Sequence, residues 1–331
     1  MCGKAFGSRR RVRGAEGGMT TAVRHVLNLS DIGQPGLRQV LDHARARKAA
    51  RAGLPNGMAD GDAPLSGHVL ASIFEKPSTR TRLSFEVAMR QLGGSAMTLA
   101  SGDLQLGRGE TIEDTARVMS GYVDAVMIRA NRHADAAAFA RAASVPVVNG
   151  LTEQSHPCQI VADLLTAEER LGRPAEGTVW AWLGDGNNVC NSLVEAAGLL
   201  GFALRVAGPD GYAPDAGFVA SARARGATVD IGQDAATAVV GADVVITDTW
   251  VSMGQSGSND RIRAMLPYQV SPMLMAGAAR HAIFLHCLPA HRGEEVTDSV
   301  IDGPQSAVWD AARNRVHAQK ALLLWALGKL G

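Results

Sequence analysis

Apolar positions along the chain fall into two alternating spacings. Short, nearly continuous apolar runs at 68–74, 96–100, 125–129, 178–183, 204–207, 228–230, 243–247 and 282–286 read as strands buried on both faces, and the segment 145–150 closes the first half. Between them, residues 32–48, 83–92, 111–121, 160–171, 193–201, 215–225, 235–240, a Met-rich stretch around 273–275 and 307–330 carry apolar residues at helical spacing. Residues 53–67, rich in Gly, Pro and Asp, read as a loop. Strand alternating with helix predicts an α/β protein with parallel sheets, whose ligands gather at the carboxyl ends of the strands.

Composition narrows this only a little. At 331 residues the chain is long enough for two domains. A net charge of +1, from 33 basic and 32 acidic residues, argues against bulk nucleic-acid binding. No apolar run approaches the length of a membrane span. The four cysteines, Cys2, Cys158, Cys190 and Cys287, form no C-x-x-C pair, which fits a reducing cytoplasm without structural zinc. Residues 1–18 are basic, glycine-rich and aperiodic. They read as a disordered leader ahead of Met19, with a transit peptide as the alternative.

The candidate chemistry lies at the ends of the predicted strands. After the first comes F-E-K-P-S-T-R-T-R, which sets Ser78, Thr79, Arg80, Thr81 and Arg82 at a helix start. Unpaired first-turn N–H groups, hydroxyls and guanidiniums together make an anion site, and far more than a helix cap requires. The third strand ends on Arg129, at the same kind of edge. H-P-C-Q opens another helix and places His156 and Gln159 at i and i+3, so that both can face one space. The turn G-D-G-N-N-V, Gly184 to Val189, resembles a dinucleotide fingerprint but has Val189 where the last glycine belongs, and its asparagines suit a small polar ligand better. Asp248, at the head of D-T-W-V-S-M-G, can pair with an amine. Cys287, in H-C-L-P-A-H-R-G, stands at a sheet edge where a thiol's pKa matters.

S-T-R-T-R, H-P-C-Q, D-T-W-V-S-M-G and H-C-L-P, in this order and at these separations, resemble the aspartate/ornithine carbamoyltransferase family over essentially everything after Met19. The S-M-G and H-C-L-P motifs are those of its ornithine-specific members. Acetylornithine relatives alter the phosphate motif, and putrescine relatives lack S-M-G. The resemblance implies two domains, each a parallel sheet flanked by helices, joined by two crossing helices. Its boundaries would be a carbamoyl phosphate domain at 19–152, a linking helix at 153–171, an ornithine domain at 172–310, and a helix at 311–331 returning to the first domain.

The resemblance also implies site roles. Ser78, Thr79, Arg80 and Thr81 would hold phosphate, with Arg315 adding charge and Gln105 reaching into a neighbouring subunit of a trimer. Arg129, His156 and Thr81 would donate to the carbonyl oxygen, while Gln159 and the backbone at Cys287 and Leu288 would hold the carbamoyl amino group. Asn188, Asp248, Ser252 and Met253 would bind ornithine, with Cys287 or Asp248 assisting loss of the amine proton and the S-M-G loop closing as a lid. The expectation is a cytoplasmic homotrimer that makes citrulline for arginine biosynthesis without metal or organic cofactor. Two other classes stay open at this point: a nicotinamide-dependent dehydrogenase built on the second half, and a non-catalytic sensor of amino acid or phosphate.

Overall fold

The computed structural model describes residues 23–100, 102, 109–251 and 259–330. The elements follow the predicted alternation. After a 3-10 turn at Leu29–Asp31 come α1 (Gly33–Ala50), β1 (Val69–Phe74), α2 (Thr79–Gln91), β2 (Ser95–Ala100), α3 (Ile112–Ser120), β3 (Ala125–Arg129), α4 (His133–Ala142) and β4 (Val147–Leu151). The connecting helix α5 (Pro157–Leu171) leads to β5 (Val179–Leu183), α6 (Asn188–Leu200), β6 (Ala203–Ala207), α7 (Ala216–Ala224), β7 (Val229–Gly232), α8 (Ala235–Val239) and β8 (Val244–Thr247). The chain then runs through α9 (Asn259–Met265), α10 (Pro272–Gly277), β9 (Ile283–His286), α11 (Asp298–Ile301) and α12 (Val308–Ala326).

Two parallel sheets result, ordered β2-β1-β3-β4 and β7-β6-β5-β8-β9. In each, successive strands run outward on one side of the first strand and then on the other. The chain therefore leaves a crevice between β1 and β3 and another between β5 and β8, the topological switch points where α/β sheets bind ligands. Register decides what faces these crevices. Phe74 pairs with Arg129, so the loop after β1 and the end of β3 share one edge. Leu183 pairs with Thr247 and Thr247 with His286, which sets the Gly184 turn, Asp248 and Cys287 side by side.

The halves are not separate cores. One apolar cluster runs from Leu37, Leu41 and Phe85 through α5 to Trp180, Leu193 and Leu204, and takes in Leu322 to Leu324 of α12. Every residue of α5 from Pro157 to Glu168 is buried, as expected of a helix covered on all sides. α12 packs on α1, α2, α5 and β9. Asn314 on α12 donates to Thr166 Oγ1 at 2.9 Å and to Glu169 at 2.8 Å, joining it to α5. Glu195 on α6 accepts from the N–H groups of Leu29 and Ser30 at 2.8 and 2.9 Å.

The sequence reading missed three helices and misplaced one start. α4 is H-A-D-A-A-A-F-A-R-A, in which alanines on both faces hide the apolar period, while α9 and α11 are too short to show one. α6 begins at Asn188, one turn earlier than its apolar run, because the Asn187 side chain caps it by accepting from Val189 N and Cys190 N at 2.9 and 3.2 Å.

α12 also carries a titratable group in an awkward place. The Nδ1 of His317 has no partner, and burial, together with Lys320, Lys48 and Arg51, pushes the imidazole down to about 4. Unfolded, this histidine takes up its proton near pH 6.5. Between pH 6.5 and 4 the unfolded chain therefore binds more protons, so the contribution is complete above 6.5 and is lost as the pH falls. His317→Gln should reduce the fall in urea midpoint between pH 7 and pH 5, by the equivalent of about 1–2 kcal/mol. An unchanged fall would show that other groups carry the acid sensitivity.

Candidate active site

The carboxyl edges of the two sheets open onto one cavity of about 740 Å³. From the first half, Ser78, Arg80, Thr81, Arg129 and His156 line it; from the second come Asn188, Asp248, Cys287 and Leu288; α12 adds Arg315. These are ten of the positions singled out in the sequence, brought together from seven segments. Gln105, Ser252 and Met253, with the expected lid, lie outside the described residues, as does the 1–18 leader.

One wall is cationic and poorly compensated. Ser78 caps α2, its Oγ accepting from Thr81 N at 3.4 Å and donating to Thr81 Oγ1 at 3.0 Å. Arg315 Nη2 donates to that same Oγ1 at 3.1 Å, which leaves the Thr81 hydroxyl proton for another acceptor. Arg129, only 5% exposed, has a buried Nε without partner, and burial plus the charges of Arg315 and Arg80 pull its guanidinium down to about 10. The same surroundings act on His156: burial first, then Arg315, Arg129 and Arg80, hold it well below the usual histidine range. It is a neutral imidazole whose Nδ1 lacks a partner. Three guanidiniums and a helix N-terminus around one space favour a phosphate-sized anion.

The opposite wall is acidic. Asp248, buried at the end of β8, accepts from Cys287 Sγ at 2.8 Å and from Asn187 Nδ2 at 2.7 Å. Burial and the Asp248 charge push the Cys287 thiol well above its ordinary range, so the thiol is the donor and the carboxylate the acceptor of this pair. Deeper along the same wall, Arg261 Nη2 bonds Asp185 at 2.5 Å, while its Nε meets the Trp250 carbonyl and its guanidinium lies 4.8 Å over the Tyr212 ring. Asp185, pushed up to about 6 by burial, was not expected, nor were Asn187 and Arg261. The G-D-G-N-N turn was the signal for the first two; nothing in the sequence marked the third.

The H-C-L-P segment links the walls. Leu288, at φ 59, directs its carbonyl to Arg80, whose Nη2 donates at 2.7 Å. Its N–H donates to His286 Nδ1 at 2.8 Å, so the ring proton sits on Nε2, facing Glu295 Oε1 at 3.1 Å. With both ring nitrogens engaged, His286 has no lone pair to complete a metal site with Asp248 and Cys287, although the three lie close together.

Three positions depart from what the sequence predicted. Thr79 is exposed and does not line the cavity, because it opens α2 while Ser78 and Thr81 turn inward. Gln159, 1% exposed and not itself lining the cavity, is set into the wall at Arg315, its Oε1 accepting from Arg315 at 3.1 Å and its Nε2 donating to Asp163 at 3.0 Å. His156 is the residue before the helix, with non-helical backbone, and although the Gln159 N–H donates to its carbonyl at 3.2 Å, only the His156 side chain lines the cavity. Asn188 lines the cavity, but its Nδ2 is bonded to the Thr152 carbonyl at 2.6 Å, bridging the halves.

Similarity to known proteins agrees with this geometry. Residues 24–169 match the family described as aspartate/ornithine carbamoyltransferase, carbamoyl-P binding domain, and residues 176–326 match its Asp/Orn binding domain. An ornithine carbamoyltransferase from Rhizorhabdus wittichii is 61% identical over 93% of this chain and 99% of its own length. One from Caulobacter vibrioides is 57% identical over 94% and 100%. The solved ornithine carbamoyltransferase from Pyrococcus furiosus superposes with a TM-score of 0.87 at 47% identity, covering 93% of this chain and 98% of that one.

Proposed function

The chain belongs to the aspartate/ornithine carbamoyltransferase family, and we propose that it transfers the carbamoyl group of carbamoyl phosphate to the δ-amine of L-ornithine, giving L-citrulline and phosphate. The observation that carries this is the polarity of one cavity: three guanidiniums and a neutral imidazole on one wall, a carboxylate–thiol pair on the other. The first suits a dianionic phosphate and a developing oxyanion, the second an amino acid's ammonium. A dehydrogenase leaves the cationic wall without a role, and a sensor has no need of a donor set aimed at a carbonyl.

In this reading Ser78, Arg80 and Thr81 hold the phosphate, with Arg315 behind. Arg129, His156 and Thr81 donate to the carbonyl oxygen as the δ-nitrogen attacks the carbonyl carbon. The new N–C bond forms, the C–O bond to phosphate breaks, and the proton lost by the amine leaves on the phosphate. An alkylammonium is almost wholly protonated at neutral pH, so ornithine must first shed a proton. Asp248 takes the α-ammonium, and this neutralises the charge that raises the Cys287 thiol. With that charge answered the thiol can give up its own proton to solvent, and the resulting thiolate can accept the proton of the δ-ammonium. Asn188, Ser252 and Met253 complete the ornithine side; Gln159 and the Cys287–Leu288 backbone face the carbamoyl amino group.

The division at 19–152, 153–171, 172–310 and 311–331 belongs to this reading, supported by one sheet on each side of α5 and the return of α12. So does a homotrimer with Gln105 crossing between subunits. Leu83 and Met97, exposed at 54% and 55% beside the phosphate loop, offer an apolar surface for that contact. Among the described residues no helix is long and apolar enough to cross a membrane, in keeping with a cytoplasmic enzyme of arginine biosynthesis.

Assaying carbamoyl transfer to L-ornithine, putrescine, N-acetylornithine and L-aspartate separately tests the proposal. Turnover should favour ornithine by roughly a hundredfold or more in kcat/KM. No product from any amine would refute catalysis, and preference for another amine would refute the substrate.

A further inference from the structure

Asp163 lies one turn beyond Gln159 on α5 and is fully buried. Its Oδ1 accepts from Gln159 Nε2 at 3.0 Å, whereas its Oδ2 has no partner. A half-satisfied carboxylate in a core is costly, so its presence calls for a reason beyond packing. Burial pushes it up to about 7, against the pull of Gln159 and Arg315 and with the push of Asp248.

The reason lies in what an amide can do. A side-chain amide turned by half a revolution exchanges an acceptor for two donors. Here one end is held by a partner with no choice of role and the other by a carboxylate that has none once ionised. Arg315 can only donate, so the oxygen of Gln159 must face it; an ionised Asp163 can only accept, so the nitrogen must face Asp163. Arg315 also bonds Thr81, and both line the cavity, so the oxygen is the end of the amide bonded to the cavity lining. One lone pair of that oxygen serves Arg315, and the second remains.

We propose that Asp163 is a positioning residue that fixes the Gln159 amide with its oxygen toward the cavity, and thereby makes the site read the amino group of carbamoyl phosphate. This rests on the carbamoyl-transfer reading above. A carbamoyl NH₂ is a pure donor. It is recognised by a fixed acyl oxygen, and a flipped amide would confront it with N–H groups. An acyl phosphate bearing a methyl group in that place gains nothing from the oxygen and leaves it desolvated, which is how a polar site rejects an isostere.

The test compares carbamoyl phosphate with acetyl phosphate, which keeps the phosphate and carbonyl but has methyl for amino. In full-length Asp163→Ala, and in Asp163→Leu, which refills the space, the KM for carbamoyl phosphate should rise about tenfold. The inhibition constant of acetyl phosphate should stay within about twofold, so discrimination falls by nearly the same factor. Asp163→Asn, which keeps an acceptor for Nε2 at almost identical volume, should hold both constants within about threefold of wild type. Parallel weakening of both ligands would mean a merely structural role and would overturn the proposal, as would unchanged discrimination in the Ala and Leu variants or its loss in Asn. Wild-type turnover serves as the separate control. Its absence would refute the carbamoyl-transfer reading, whereas normal turnover with unaltered variants refutes only the role of Asp163.

Discussion

Arg129→Met should lower kcat for citrulline formation by roughly 10²–10³-fold or more, yet leave a ligand-free protein that unfolds at a higher temperature. Both effects follow from one arrangement. Arg129 ends β3 inside the cavity, 5% exposed, with its Nε unpaired. Burial first, then the like charges of Arg315 and Arg80 against an opposing pull from Cys287, draw its guanidinium down to about 10. In the empty site the residue is a liability that only a bound anion relieves. Methionine removes the buried charge while keeping much of the stem's packing. A rise of a few degrees in unfolding temperature is the expected sign, at roughly 1–2 °C per kcal/mol for a chain of this size.

Catalysis responds the other way. Negative charge gathers on the carbonyl oxygen as the amine attacks, and a fixed donor that needs no reorganisation is worth most at that moment. Inorganic phosphate offers a second measurement. It should raise the unfolding temperature of the wild type through binding to the folded state alone, and raise that of Arg129→Met much less. A variant less stable than wild type when empty, or one that keeps its turnover, would show that Arg129 is a structural cation.

Asp248→Asn addresses the other wall. Its kcat/KM for ornithine should fall by about 10²–10⁴-fold while the KM for carbamoyl phosphate moves less than about threefold, because Asp248 bonds Asn187 and Cys287 and none of the groups that hold the phosphate and the carbonyl oxygen. Among the described residues the carboxylate is the only acidic group bonded to Cys287, through Sγ–Oδ1 at 2.8 Å, and it also receives Asn187. Asparagine retains the shape and removes the charge that answers an ammonium. The thiol reports this independently. Burial and Asp248 together raise it, so the neutral variant should let Cys287 ionise at lower pH and be alkylated faster at pH 8, read by mass at that residue. Equal losses for both substrates, with no change in alkylation, would remove Asp248 from the ornithine side.

Much of this architecture was legible in the order of residues. Eight of the nine strands and most helices follow from the switch between continuous and helical apolar spacing, since a parallel strand covered on both faces must be apolar along its whole length. The phosphate loop was legible too, because Ser78, Arg80 and Thr81 act through neighbours in sequence: a cap, a helix start and side chains within one turn. Where alanine covers both faces, as in α4, or where a helix lasts barely one turn, as in α11, no period exists to be read. Asn187 was overlooked for a related reason: one side chain caps α6 and braces Asp248, and only the capping has a local signature.

What the sequence determined by itself is thus what short-range periodicity and local chemistry can encode: the alternation of elements, the anion-binding helix start, and the motif order that marks the family. Tertiary structure decided the remainder. The thiol of Cys287 became a donor because β8 and β9 lie in register, with Thr247 beside His286, and bring Asp248 within 2.8 Å. Gln159 was set into the cavity wall because Arg315, 156 residues further on, holds one end of its amide and Asp163 the other. Arg261 reached Asp185 across 76 residues, with no motif to announce it. Protonation state and amide orientation depend on burial and on charges a few ångströms away, and those distances exist only once the chain has folded.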